Sequence, residues 1–287
     1  MPSNSSQTRK APSDKSEVSD LRTPLSPIAE APSQADTLRR LYAGLLRSRL
    51  VQERAQSASG LRASNYDLRL GHEAVIVGVT AELTPSDTMM SSSRDLAALL
   101  ARGAPLSALL SRNGIDANFA WCAPVIPEDP FNAGVGIALA HKLEQKRSVV
   151  VALYAQPPSD LNGWRDALMV ATKHKLPILF VVERGAASST DAASHLHPVS
   201  YMVRGHNLPA IVVDGSDVVA VWRVAQEGVH RARNGVGPTL IDCRTDPARD
   251  PLAQLEHYLR KRSVWDEAWR RELESEIAAA IADATAR

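Results

Sequence analysis

The sequence predicts an α/β protein whose parallel sheet carries helices on both faces. Its second half alternates short apolar runs with helical patterns. The runs hold few polar residues, which is typical of strands buried on both faces and joined by right-handed crossovers. The predicted strands are 148–154, 177–183, 210–213 and 239–243, and the predicted helices among them are 161–174 and 217–233. With 44% hydrophobic residues in 287, the chain is long enough to bury a sizeable core.

The N-terminal half is predicted to be a tail followed by helices. Residues 1–35 are rich in Ser and Pro and poor in large apolar side chains, so we expect a disordered tail. Residues 36–287 are then one domain, with a helical part over 36–145 and a βαβ part over 146–287. Asp36 is the expected N-cap of the first helix, whose leucines recur at helical spacing. Further helices are predicted over 72–83, 94–111 with an interruption near Gly103, 131–143 and 265–284.

Composition excludes several classes of function. The 33 Lys and Arg residues nearly balance 32 Asp and Glu residues, so nothing favours nucleic acid as a partner. No apolar run reaches the roughly 20 residues that a membrane helix needs, and no export segment is visible, so we expect a cytoplasmic protein with no membrane partner. Cys122 and Cys243 are far apart, which argues against a disulfide framework or a cysteine metal site.

The loops after the first two predicted strands of the second half are poor phosphate or metal sites. Ligands of open parallel sheets bind beyond the carboxyl ends of the strands, here at 155–160 and 184–191. A phosphate cradle needs free backbone N–H groups, and Pro157 and Pro158 have none. Gln156 offers only a neutral amide oxygen, whereas magnesium prefers charged oxygen ligands.

Residues 38–243 nevertheless resemble a known family, the alpha subunit of the thiamine-diphosphate-dependent first component of pyruvate or branched-chain 2-oxo acid dehydrogenase complexes. The resemblance implies the thiamine-diphosphate-binding fold and a beta-like partner subunit, with the cofactor between the two. In that family the alpha side holds the diphosphate and its magnesium. The motifs lie at 38–54 (LRRLYAGLLRSRLVQER), 71–83 (GHEAVIVGVTAEL), 93–103 (SRDLAALLARG), 134–143 (GVGIALAHKL), 175–183 (KLPILFVVE) and 213–244.

The sequence departs from the family where the cofactor binds. The metal-binding Gly-Asp-Gly motif aligns with Ala155-Gln156-Pro157, and the Asn-Asn pair that follows the next strand aligns with Arg184-Gly185. The Gly-rich stretch before the helix at 131–143 and the loop bearing a catalytic His after Arg244 are also missing. Four positions remain as vestiges of the cofactor site, and we predict neither a catalytic residue nor a metal ligand. These positions are Arg94, Gln156, Glu183 and Gly185.

Two hypotheses follow. The first is a degenerate alpha subunit that has not retained magnesium or thiamine diphosphate and acts as a structural or regulatory partner. The second is an active subunit with an altered site, which catalyses oxidative decarboxylation of a 2-oxo acid with acyl transfer to lipoamide. Arg94 either meets a phosphate or pairs with a carboxylate such as Asp95. His72 and Glu73 either cap and pack a helix or face a ligand.

Overall fold

The computed structural model describes residues 33–57, 66–91, 95–110, 130–154, 161–185 and 207–286. It confirms the α/β class, with helices on both faces of a parallel sheet. The strands are β1 (Thr88–Met90), β2 (Val150–Tyr154), β3 (Ile178–Gly185), β4 (Ala210–Asp214) and β5 (Thr239–Thr245). The helices are α1 (Gln34–Ser57), α2 (Glu73–Thr80), α3 (Leu96–Ala101), α4 (Leu106–Leu109), α5 (Pro130–Leu143), α6 (Leu161–Lys173), α7 (Val218–Arg233), α8 (Pro251–Lys261) and α9 (Glu267–Ala286).

The five strands form one sheet in the order β1-β2-β3-β5-β4, with every neighbouring pair parallel. Successive side chains of β2 and β3 enter opposite cores, as strand geometry requires. Phe180 and Val182 face a core shared with α5 and α6, whereas Leu179 and Val181 face a core shared with α2 and α7. A third core joins α1 to α2, α3, α8 and α9 beside the sheet. Because β3 and β5 are parallel neighbours in the sheet, their carboxyl ends lie side by side.

Two glycines allow helices to approach closely. A Cβ atom at Gly134 on α5 would lie 3.1 Å from Ile178 and 3.2 Å from Ala152, so this Gly/Ala-rich helix packs tightly on the sheet. A Cβ atom at Gly78 on α2 would lie 2.7 Å from Val221 of α7. These contacts hold α2 against α7 and α5 against β2 and β3.

The structure corrects several element boundaries. Asp36 is not the N-cap, because α1 begins at Gln34 and the Oγ atom of Ser33 accepts the Asp36 N–H at 3.2 Å. The first helix thus begins inside the segment predicted as tail, and residues 1–32 lie outside the described residues. The predicted break at Gly103 is confirmed, since its φ of +89° separates α3 from α4. Strand β1 and helix α8 were not predicted.

Candidate functional site

A buried charge cluster lies at the carboxyl end of β3, on the face covered by α2. Glu183 is 1% exposed, and its carboxylate accepts from the guanidinium of Arg69 and contacts His72 Nδ1 at 2.9 Å. Arg69 also donates through Nη1 to Asp95 Oδ2 at 3.1 Å. One guanidinium therefore joins two buried carboxylates.

The turn before α2 positions the two basic members of this cluster. The backbone N–H of Arg69 donates to Gln52 Oε1 of α1 at 2.6 Å, and the backbone N–H of His72 donates to the Arg69 carbonyl at 2.9 Å. Between them, Gly71 adopts a φ of +83°, a left-handed conformation that favours glycine. The turn thus places the side chains of Arg69 and His72 against Glu183 at the end of β3.

Asp95 is held independently, at the start of α3. It is the N-cap of that helix and accepts the Ala98 N–H at 3.0 Å through Oδ1. Ser91 Oγ donates to its other oxygen at 3.2 Å, beside the bond from Arg69. Asp95 is therefore a structural carboxylate that accepts three hydrogen bonds from within the protein.

A second buried pair occupies the opposite face of the sheet end. Arg184 donates to Asp242 in fork geometry, with Nε to Oδ1 at 2.9 Å and Nη2 to Oδ2 at 2.5 Å. Asp242 lies in the middle of β5 with its side chain 0% exposed, and the Arg184 side chain is 9% exposed. The guanidinium is turned into the protein and its charge is neutralised there.

Burial and charge set the protonation of the first cluster. Burial disfavours the Arg69 guanidinium, but Glu183 and Asp95 outweigh that effect and raise the pKa of Arg69 above its ordinary value. Burial, reinforced by Glu183 and Asp242, raises the pKa of the Cys243 thiol well above its ordinary value. Arg69 is consequently a permanent cation, and Cys243 is an inert thiol rather than a nucleophile.

The structure places two of the four predicted site residues, Glu183 and Gly185, at the end of β3. Glu183 is the centre of a salt-bridge cluster, and Gly185 has no side chain to offer a ligand. Arg94 and Gln156 lie outside the described residues. His72 does not cap α2 and contacts Glu183 instead, whereas Glu73 is buried against Arg49 at 2.6 Å.

Sequence reasoning missed Arg69 and Asp242 as members of the site. Arg69 lies just before the GHEA motif, and a charged residue before an expected glycine turn was the available signal. Asp242 interrupts an otherwise apolar run, TLIDC, and a lone carboxylate in a buried strand indicates a buried cationic partner. Nothing local identified Arg184 as that partner.

The described residues do not fit thiamine diphosphate with magnesium. Two guanidinium groups at this end of the sheet, Arg69 and Arg184, are each bound to buried carboxylates, which neutralise their charge. Within the described ranges no group of three or more His, Cys, Asp or Glu side chains is arranged to hold a metal ion. On the α5 face, Tyr154 at the end of β2 packs on Phe131 and Trp164, with ring centroids 5.6 Å and 4.9 Å away. Aromatic rings thus line that face where β2 ends.

Comparison with known proteins agrees with the motifs. Residues 123–246 match the family model described as "Dehydrogenase E1 component". The alpha subunit of acetoin:2,6-dichlorophenolindophenol oxidoreductase from Bacillus subtilis is 28% identical over 227 residues, which cover 71% of this chain and 68% of that protein. The pyruvate dehydrogenase E1 component subunit alpha from Acholeplasma laidlawii is 26% identical over 257 residues, covering 77% and 74%.

A third relative extends the range of named activities. The 3-methyl-2-oxobutanoate dehydrogenase subunit alpha from Mycobacterium tuberculosis is 28% identical over 232 residues, covering 69% of this chain and 63% of that protein. The chain thus spans roughly two thirds to three quarters of the length of these relatives. The resemblance predicted from the motifs is confirmed: this chain is similar to the alpha subunits of dehydrogenase E1 components.

Proposed function

We propose that this chain is an alpha-like dehydrogenase subunit that does not bind magnesium and thiamine diphosphate and that serves as a structural or regulatory partner of a beta-like subunit. The observation that carries the proposal is the Arg184–Asp242 pair. At the first of the two positions that align with the family's Asn-Asn pair, the chain has a cation whose fork is bound to a fully buried carboxylate. A guanidinium has no lone pair for a metal ion.

The chemistry of the neighbouring positions supports the same proposal. Gly185 takes the place of the second family amide, and Gln156 takes the place of the metal-binding Asp. Loss of groups that merely orient metal ligands typically weakens metal affinity or activity by about 10–100-fold. Loss of the direct ligands is expected to weaken binding further. A partner subunit would have to replace all of these groups from across an interface.

The relatives support the proposed beta-like partner. All three are named as alpha subunits, so each belongs to a protein with more than one kind of chain. Helix α5 also exposes large apolar side chains one turn apart, of which Leu139 is 37% exposed and Leu143 is 75% exposed. Apolar side chains grouped on a surface are common where a protein binds another chain.

Calorimetry tests the loss of cofactor binding. Thiamine diphosphate with excess magnesium chloride is titrated into the purified chain, alone and in complex with the beta-like subunit encoded nearest to it. We expect no saturable heat in either case, because Arg69 and Arg184 are bound to carboxylates and Gln156, Arg184 and Gly185 replace the family's metal-binding motifs. An active pyruvate dehydrogenase first component serves as the positive control. Micromolar, magnesium-dependent binding would contradict the proposal.

Reconstitution tests the role of the chain. We expect a stable complex with the beta-like subunit by analytical ultracentrifugation, and no turnover of pyruvate or branched-chain 2-oxo acids above that of the beta-like subunit alone. Turnover that requires this chain would favour an active subunit with an altered site.

The described helices include none long and apolar enough to cross a membrane. The proposal includes a cytoplasmic location, which cell fractionation would test.

A further inference from the structure

A cavity of about 410 Å³ lies at the opposite end of the sheet from Glu183 and Arg184. Its walls include Lys175, Pro209 and Pro238, which precede β3, β4 and β5. These three strands are neighbours, so the segments that enter them converge. From Ile178 to Gly185, strand β3 is about 23 Å long at the usual rise of a parallel strand, so the two ends of the sheet are at least this far apart. The cavity is therefore distinct from the candidate cofactor site.

Three cations converge on this cavity. Lys173, Lys175 and Arg231 line it, and none of its described lining residues is acidic. None of the three makes an ion pair within the described parts of the chain. The surface ion pairs elsewhere, such as Arg249 with Asp214 at 2.5 Å, show that exposed arginines of this protein do find carboxylates. Within the described residues, these three cations therefore have no carboxylate partner.

Arg231 provides a second and independent observation. Its Nε–H is buried and has no hydrogen-bond acceptor among the described residues. A buried donor left without an acceptor costs about 1–3 kcal/mol, and more for a charged group. The guanidinium fork matches the oxygen geometry of phosphate or carboxylate. Because Arg231 lines the cavity, an anion bound there would lie against the accessible part of this guanidinium.

We propose that this cavity binds a phosphorylated small molecule. The phosphate lies against Arg231, Lys173 and Lys175, and its charge offsets the repulsion among them. The organic part of the ligand lies against the apolar wall, where Met169 and Val236 are 42% and 49% exposed. The volume falls within the range of about 300–1,000 Å³ typical of small-molecule sites. The proposal does not depend on whether the chain binds thiamine diphosphate.

Calorimetric titration with phenyl phosphate, at low salt and without thiamine diphosphate, tests the site. We expect saturable binding to the full chain. In R231Q the affinity should fall by at least about tenfold, the loss expected for a hydrogen bond to a charged group. K173Q, which changes an exposed side chain, should also weaken binding if the phosphate lies between these cations. Inorganic phosphate should bind more weakly than phenyl phosphate, since it has no apolar part.

R223Q is the matched control, because Arg223 is an exposed arginine on the same helix, α7, and does not line the cavity. Its affinity for phenyl phosphate should equal that of the wild type. The proposal is overturned if the wild type shows no saturable heat, or if R223Q and R231Q lose affinity equally. It is also overturned if inorganic phosphate binds as tightly as phenyl phosphate. Circular dichroism of each variant confirms that it is folded.

Discussion

At the scale of single residues, Arg184 shows how one substitution changes the chemistry of a site. Arg184 aligns with the first Asn of the family's Asn-Asn pair, and its guanidinium is a hydrogen-bond donor that neutralises Asp242. The pair also makes the change hard to reverse, because an amide at position 184 would leave a fully buried carboxylate without its cation.

Replacing Arg184 should therefore destabilise the protein. For R184M we expect the free energy of unfolding to fall by about 3–5 kcal/mol, as for other buried pairs that lose one partner. The double variant R184M/D242N should recover much of the loss, because it removes the uncompensated charge. Urea denaturation measures both effects.

Arg244 provides the control for that experiment. It lies beside Arg184 in the register of β3 and β5, but its side chain is exposed. R244M should change the free energy of unfolding by no more than about 0.5 kcal/mol. If R184M proved as mild as R244M, the pair could not be the buried salt bridge described here.

At the scale of elements, Asp87 connects three segments that are distant in the sequence. It is 3% exposed and accepts the Val149 N–H at 2.7 Å, just before β2. It also accepts the Thr84 N–H at 2.7 Å in the turn before β1, and Arg233 Nη2 at the end of α7 at 2.8 Å. One carboxylate thus joins the starts of β1 and β2 to the end of α7.

The pH dependence of stability should reveal this connection. Burial raises the pKa of Asp87, but Arg233, Thr84 and Val149 outweigh that effect, and the pKa is lowered overall. The ionised carboxylate therefore stabilises the fold fully above the unfolded-state pKa of about 3.9. This contribution is lost as the pH falls through the lowered folded-state value.

For D87N we expect a loss of about 2–3 kcal/mol at pH 7, since the bond to the charged Arg233 is weakened. The difference between wild type and D87N in urea unfolding should stay constant from about pH 7 to 5 and shrink below about pH 4. D166N is the control, because Asp166 is exposed on α6. A difference that grows on acidification would contradict this assignment.

Most strands and helices of this protein could be predicted from sequence patterns, but two could not. The short apolar runs predicted β2, β3, β4 and β5. The helix predicted over 217–233 is α7, whose N-cap Asp217 accepts the Val219 N–H at 2.9 Å. Strand β1 has three residues, too few to show a pattern, and it exists because Thr88 and its neighbours pair with β2. Helix α8 is mostly polar outside Leu255 and Leu259, which reach a core assembled by α1 and α9.

At the scale of the whole molecule, thermal stability should be insensitive to the family cofactor. A ligand present at about 1,000 times its Kd stabilises the folded state by about 4 kcal/mol. For a domain of this size that corresponds to a rise in Tm of roughly 8 °C or more. For this chain we expect 1 mM thiamine diphosphate with excess magnesium to raise the Tm by less than about 1 °C, because a ligand that does not bind does not stabilise the folded state.

Differential scanning calorimetry measures this shift, with magnesium chloride alone and thiamine diphosphate alone as controls. An active thiamine-diphosphate enzyme in the same buffer confirms that the ligand is competent. A rise in Tm that requires both magnesium and thiamine diphosphate would contradict the proposed loss of binding.

The sequence by itself determined the architecture and the kinship of this protein. Apolar periodicity is a local property, so alternating strands and helices predict a parallel sheet, and the ordered motifs predict the alpha-subunit resemblance. The substitutions at Gln156, Arg184 and Gly185 could be read from the chain alone.

Only the tertiary structure decided which charges meet. Arg69 reaches Glu183 across 114 positions of sequence and Arg184 reaches Asp242 across 58. These partners follow from placing β3 beside β5 and the turn before α2 over the end of β3. Ion pairs depend on distance and burial in space, which the spacing of residues along a strand or helix does not specify.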